Sequence, residues 1–171
     1  ALADPGDLAR GPFDEVAASI EQQFLADGGH AERAPMYHLL SLLDLRILRD
    51  SGALTGASAE AVARAERGAV VAIDSVVHPD GDVALFNDSW LAEAPPAVEL
   101  TGALRPRPTT LTKIENPDFG YTRLAEGGDA VICDHGPCGP DANPGHAHAD
   151  FLTFELSVDG VRTIVDPGVP T

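Results

Sequence analysis

Over the first hundred residues the apolar positions recur at helical spacing. Residues 12–25, with Ile20 and Phe24 among the apolar positions and Pro12 placed to start it, predict an amphipathic helix that stops at Asp27-Gly28-Gly29. A second helix is predicted from Pro35. Met36, Leu39, Leu40, Leu43 and Ile47 form one stripe, and Leu42, Leu45 and Leu48 widen it, so burial on more than one side is expected before Ser51-Gly52 ends it. A third, from Ala59 to Val77, carries Val62, Ala65, Ala69, Ile73 and Val76 on its apolar face, and His78-Pro79-Asp80-Gly81 terminates it. Two long helices joined by a short loop predict an antiparallel helical hairpin.

After a Pro-rich connection at 92–108 the period changes. Thr110–Ile114, Tyr121–Leu124, Ala130–Cys133, Phe151–Leu156 and Arg162–Val165 read as strands, with turns at Asp118-Phe119-Gly120, Glu126-Gly127-Gly128 and Asp159-Gly160. Phe151, Thr153 and Glu155 alternate with Leu152, Phe154 and Leu156, which suits a sheet with one buried face. Consecutive hairpins imply antiparallel pairing. The chain thus divides near residue 100 into a helical part, 1–100, and a strand-rich part, 101–171, an α+β organisation with no internal repeat.

Composition bears mainly on partners. The 171 residues are 44% hydrophobic, enough to bury a core. Eleven Lys+Arg against 27 Asp+Glu leave a formal charge of −16. Such a surface repels phosphate backbones and anionic membranes, so neither nucleic acid nor a membrane is expected as a partner. No apolar run approaches the roughly 20 residues that a membrane span requires. Cys133 and Cys138 flank a tight turn and read equally as a local disulfide or as two thiols.

Three clusters could carry chemistry. In Pro144-Gly145-His146-Ala147-His148-Ala149-Asp150 the two histidines at i and i+2 project to one face of a strand. They can share a metal, or one can bind metal while the other works on substrate. A hairpin turning at Asp159-Gly160 can bring Asp166 near His148, and two nitrogens with one carboxylate suit zinc once a further ligand or water is added. The plainer reading is an exposed histidine pair with Asp166 as a turn former. In the second cluster, Asp27 through His38, a His, a Glu, an Arg and a Tyr stand at the mouth of a helix beside glycines that let backbone approach a ligand. That set suits acid/base and anion-binding work, or it is a solvated loop between helices. In the third, Phe86-Asn87-Asp88-Ser89-Trp90 could grip a sugar ring, or Asp88 or Ser89 caps a helix beside a core Trp.

Taken in order, Asp27-Gly-Gly-His-Ala-Glu-Arg-Ala-Pro-Met-Tyr-His38, Phe86-Asn-Asp-Ser89, Gly145-His-Ala-His-Ala-Asp150, Leu152-Thr-Phe-Glu-Leu156 and Val165-Asp-Pro-Gly168 resemble the heparinase II/III-like polysaccharide lyases. The resemblance covers nearly the whole chain, and the histidine-rich strings are its specific part. It implies a multidomain α+β fold: part of an α/α toroid over 1–100, then part of an antiparallel β-sandwich over 101–171. It implies cleavage of an acidic, uronic-acid-containing polysaccharide by β-elimination, and a structural zinc. It places His30, with Glu32 nearby, at a catalytic cleft and has His146 reach in to hold or neutralise the substrate. Arg33, Tyr37 and Asn87 become substrate-binding candidates, and His148 and Asp166 zinc ligands. The geometric expectation is that His30 and His146 converge on one cavity.

Lyases of this type commonly use a tyrosine downstream of the first histidine motif, yet residues 80–86 contain none; Tyr37 and Tyr121 are the two tyrosines of the chain, and the catalytic one is left unassigned. A further zinc-binding histidine is also expected beyond Asp166. Since three helices are too few to close a toroid and the sheet ends soon after Asp166, the chain is expected to be an internal fragment with little lyase activity alone. With a single lysine, Lys113, a sparsely sulfated polymer is the expected substrate, and a periplasmic or secreted location follows from its class. Two alternatives are carried: a non-catalytic carbohydrate-binding or polysaccharide-assembly protein of the same fold, and a cupin-like metal oxygenase suggested by His146-x-His148 with Glu155 following. The oxygenase motif places its glutamate nearer the histidines, and the helical first half does not suit it.

Overall fold

A computed structural model describes residues 14–102, 107–137, 145, 148 and 152–167. Helix α1 spans Asp14–Gln23, α2 Pro35–Asp50 and α3 Gly56–Ala72, and α1 and α2 both pack against α3. Pro12, the expected start of α1, lies outside the described residues. Pro35 occupies the first turn of α2, where its missing N–H costs nothing. Ser51 Oγ donates to the Leu48 carbonyl at its other end, and Gly52 follows at φ 65°. The third helix is shorter than its apolar face predicts. It tightens into a 3-10 turn at Ile73–Ser75, where the Ala72 carbonyl accepts from Ser75 Oγ at 2.8 Å and from Asn116 Nδ2 at 3.5 Å. A short helix α4, Ala97–Thr101, lies in the segment read as a plain connection. Its residues Ala97 and Leu100 are buried, so packing rather than local pattern makes it. Among the described residues no helix is long and apolar enough to cross a membrane.

The strands are β1 Thr112–Asn116, β2 Tyr121–Glu126, β3 Asp129–Asp134, β4 Phe154–Val158 and β5 Val161–Ile164. They form a meander in sequence order, each antiparallel to the next. Tyr121, Ala125, Ala130, Ile132, Asp134, Glu155 and Ser157 face inward and are buried. One core runs through both parts of the chain: Leu39, Leu42, Ile73, Val76 and Phe86 pack with Phe119, Tyr121 and Ile132. On the outer face Phe154, Val158, Val161 and Ile164 stand exposed. The alternation in β4 therefore buries its polar set and exposes its apolar one.

The reason lies in what Glu155 meets. Its side chain is fully buried, and its Oε1 accepts from the backbone N–H groups of Leu85 at 2.6 Å and Asp166 at 3.3 Å. Its Oε2 accepts from His78 Nε2 at 2.8 Å, with Arg162 Nη1 at 3.7 Å. A carboxylate only accepts, so His78 donates through Nε2, and its Nδ1 lies 2.8 Å from the Ser157 hydroxyl. Arg162 in turn donates to Asp80 at 2.7 Å and to the Val83 carbonyl at 2.8 Å. Each buried polar atom of this set finds a partner, which is the condition for burying charge at all.

The glycines of the 27–29 turn serve packing rather than a ligand. A Cβ on Gly29 would stand 2.3 Å from the Phe119 ring, and one on Gly28 would stand 2.4 Å from the backbone of Gly68 on α3. Asp27 fastens the same turn to the sheet: its carboxylate accepts from the N–H groups of Gly29 at 3.1 Å, Asp118 at 2.9 Å and Phe119 at 2.8 Å.

Replacing Glu155 by Ala strands the N–H groups of Leu85, Asp166 and His78, and urea denaturation should record a loss of about 3–5 kcal/mol. Glu155→Gln should cost far less, since the amide oxygen still accepts and His78 can exchange tautomers to receive the amide N–H. Equal losses for the two variants would show that charge, not hydrogen bonding, holds the seam.

Candidate active site

Where the helical part meets the sheet, two non-glycine residues hold left-handed backbone, Arg33 at φ 59° and Asn87 at φ 54°. Such geometry costs of order 1 kcal/mol or more per residue and persists where surroundings enforce it. Here the Arg33 carbonyl accepts from the Tyr121 hydroxyl and from Asn87 Nδ2 at 3.2 Å, while Asn87 Nδ2 also donates to the Tyr121 oxygen at 3.2 Å. A carbonyl cannot donate, so the amide nitrogen of Asn87 is the atom facing Arg33 and Tyr121. The guanidinium of Arg33 donates to the carbonyls of Ala31 at 3.3 Å and Asp118 at 3.1 Å, and its buried Nε has no partner among the described residues.

The segment after Asn87 connects three parts of the fold. Ser89 Oγ accepts from the Met36 N–H at 3.0 Å, so it caps the first turn of α2 from a distance rather than starting a helix of its own. Asp88 Oδ2 accepts from the Tyr37 hydroxyl at 3.2 Å, and its Oδ1 accepts from His148 Nε2 at 2.7 Å. Burial raises the pKa of the Tyr37 phenol, and the charge of Asp88, its hydrogen bond and the charge of Glu32 raise it further. The phenol is therefore protonated at neutral pH. Trp90, expected in the core if Ser89 were a cap, is 43% exposed, with its Nε1 donating to Glu93 at 3.3 Å.

Of the predicted site residues, Tyr37 and His148 thus converge on Asp88, Glu32 acts on Tyr37 through its charge, and Arg33 and Asn87 meet at Tyr121. Asp88 reads in sequence as a cap or as part of a sugar grip, and Tyr121 as the first residue of a strand and one of two unassigned tyrosines; only the tertiary fold joins them to the histidine motif. His146 lies outside the described residues, so its convergence with His30 is not placed.

His30 itself is turned into the core. It is 7% exposed, pairs through its backbone with Phe24, and sets its ring edge-on to the Phe24 ring at 5.7 Å. Its N–H donates to His38 Nδ1 at 3.2 Å, and the opposite nitrogen of His38 meets the Ala69 carbonyl at 2.9 Å. Those partners fix one tautomer, with the His38 proton on Nε2. His38 is fully buried and its ring lies 5.1 Å from that of Phe119. Burial lowers the pKa of His30 to about 4, helped by His38. Burial likewise lowers His38 to about 4 against the opposing pull of the Ala69 carbonyl and Asp27.

The donors for a metal fit only in part. Among the described residues no three His, Cys, Asp or Glu side chains cluster as a metal site. His148 Nε2 is engaged by Asp88, and the Asp166 backbone N–H donates to Glu155. Cys133 is a free, half-buried thiol whose pKa burial raises, and Cys138 lies outside the described residues.

Both buried histidines are neutral in the fold, and the unfolded chain binds the extra protons between their folded and unfolded pKa values. Stability should therefore fall as pH drops from about 6.5 towards about 4, and level off below that. Between pH 7 and pH 5 each should contribute a loss on the order of 2 kcal/mol, read as a lower urea midpoint. A midpoint that stays constant over this range would show that the rings titrate normally.

Residues 9–104 match the heparinase II/III N-terminus, and residues 108–171 match the heparinase II/III-like C-terminal domain. No curated protein sequence matches the chain. Among solved structures, a heparan sulfate lyase HepC from Pedobacter heparinus aligns with a TM-score of 0.70 at 19% identity over 92% of this chain and 28% of that one. A heparinase III aligns with a TM-score of 0.70 at 18% identity over 92% of this chain and 30% of that one. The heparinase III BT4657 gene product gives 0.68 at 17%, over 91% and 28%. The chain spans less than a third of the length of these structures, and at such identities the likeness is one of fold. The family assignment rests on the two sequence matches, which together take in the helical part and the sheet: the chain belongs to the heparinase II/III-like family.

Proposed function

We propose that the protein supplies part of the active site of a polysaccharide lyase that cleaves a uronic-acid-containing polymer by β-elimination. The observation that supports this reading is the hydrogen-bonded row Tyr37–Asp88–His148, which joins the first turn of α2 to the strand-rich part beside Glu32. In β-elimination a base takes the proton from C5 of the uronate, the freed electron pair forms the C4–C5 double bond, and the C4–O bond breaks. The leaving oxygen needs a proton, and the uronate carboxylate needs its charge offset while C5 loses its proton. Tyr37, protonated and held by Asp88, is proposed as the proton donor. Glu32 is proposed to act at the C5 side and His146 to offset the carboxylate. His30, neutral and packed on Phe24, is proposed to shape the turn that carries Glu32 and Arg33. A zinc at His148 and Asp166 would fix the sheet end of the site; no proton step runs through it.

We further propose that α1–α3 belong to an α/α toroid and that the five strands are one layer of a β-sandwich. The exposed apolar outer face of β4 and β5 supports the second point, since such a face is normally covered. The polymer is proposed to be sparsely sulfated, in keeping with the charge of −16, and to be met outside the cytoplasm, in the periplasm or beyond.

A second reading, a carbohydrate-binding protein that has lost turnover, draws on one observation: the amide nitrogen of Asn87 and both Nη atoms of Arg33 bond to acceptors within the protein. In the full-length protein Tyr37→Phe should lower kcat by about 10²–10⁴ fold with an unchanged melting temperature, assayed by the unsaturated uronate ends released. A wild type that retains the polymer without producing such ends would favour the binding protein. An active enzyme indifferent to Tyr37→Phe, or one preferring heavily sulfated heparin, would refute the corresponding part of the lyase reading.

A further inference from the structure

Tyr121 belongs to the sheet, yet its hydroxyl reaches the two segments of the helical part that bear the proposed catalytic groups. It donates to the carbonyl of Arg33, four residues before Tyr37, and accepts from Asn87, the residue before Asp88. The ring is completely buried, stacked on Phe86 at 5.5 Å and edge-on to Phe119 at 4.8 Å. Packing on two sides leaves the hydroxyl little freedom to move. Both segments pass through left-handed non-glycine residues at the point of contact, φ 59° at Arg33 and φ 54° at Asn87. Arg33 does not adopt that backbone without something holding it there, whereas asparagine tolerates it more readily. The Asn87 amide bridges the same two atoms, donating to the Arg33 carbonyl at 3.2 Å, so the three groups close a ring of hydrogen bonds around one carbonyl.

We infer that Tyr121 is a positioning residue for the proposed elimination: its hydroxyl clasps the Arg33 and Asn87 backbones together and thereby sets the Tyr37–Asp88 separation at which the proton is delivered. The inference rests on the lyase reading and deepens it. Tyr121 touches no substrate in this scheme. Its effect passes through the short chain links from Arg33 to Tyr37 and from Asn87 to Asp88, each only a few residues long. A shift of about 1 Å between a proton donor and its target costs as much as 10²-fold in rate, so loosening this clasp should appear in the chemical step. Tyr121→Phe removes the donor to Arg33 and the acceptor for Asn87 while keeping the ring between Phe86 and Phe119.

The experiment compares three full-length proteins on an unsulfated uronate polymer: wild type, Tyr121→Phe, and Ile132→Val as a core control elsewhere in the sheet. Steady-state release of unsaturated ends is measured well below each melting temperature. Tyr121→Phe is expected to lose at least tenfold in kcat with KM within threefold, while Ile132→Val keeps wild-type kcat at a comparable loss of melting temperature. Equal loss of kcat in both variants would reduce Tyr121 to a stability residue, and an unchanged kcat in Tyr121→Phe would remove it from the site; either overturns the inference while leaving the lyase reading intact. A wild type with no turnover overturns the lyase reading and this inference with it.

Discussion

A carboxylate with no access to water holds the loop at 78–88 against the sheet. Glu155 gathers two backbone N–H groups, one imidazole and a nearby guanidinium, contributed by the end of the helical part, by its own sheet and by the stretch after β5. The N–H groups of His78, Gly81 and Ala84 find backbone carbonyls, but that of Leu85 finds Glu155, and burying it against an apolar strand face would leave it unmet. A carboxylate offers several lone pairs at one point, so a single side chain serves an irregular loop where a neutral residue would leave donors unmet. Asp27 does the same for the turn between β1 and β2, and Asp88 for Tyr37 and His148. The seam is thus stitched by acidic side chains, and part of the chain's negative balance is consumed by acceptor work inside the fold.

This explains why the elements were legible in sequence and the seam was not. Helix α2 follows from a wide leucine stripe opened by Pro35, and the meander follows from Gly-rich turns between alternating segments, because both signals are local. The short end of α3 depends on Asn116, forty-four positions away in the chain, reaching the Ala72 carbonyl. Helix α4 depends on burial of Ala97 and Leu100 rather than on its own pattern. In β4 the alternation was visible, but the face that turned inward is the one bearing Glu155 and Ser157, and only His78 and the Leu85 N–H explain that choice.

The candidate site divides along the same line. Glu32, Arg33 and Tyr37 share one short string, and their common location needs only a turn and the start of a helix. His38 stood in that string without a role, and its tautomer, fixed by His30 and Ala69, makes it the strut under the turn. The glycines of the string suggested room for a ligand, whereas Phe119 and Gly68 occupy the space a side chain would need. Asp88 stands in a possible sugar grip and Tyr121 is one of two unassigned tyrosines, but neither string shows its partners. A capping residue and a strand tyrosine become parts of a site only when sheet and helices are brought together.

The commitments around Arg33 and Asn87 bear on how a substrate carboxylate could be met. Asn87 Nδ2 faces two protein acceptors and would exchange an internal bond to meet an anion, whereas Arg33 spends two of its five N–H donors on carbonyls among the described residues and keeps its charge. Exchanging a satisfied internal bond for a substrate bond yields little net free energy. Groups that present acceptors and a protonated phenol, as Asp88, Glu32 and Tyr37 do, suit hydroxyl recognition and proton delivery instead. His148 meets Asp88 from the strand-rich part, so the row it forms with the phenol crosses the seam. The geometry of that row therefore depends on the seam being rigid, which is what the buried acidic side chains supply.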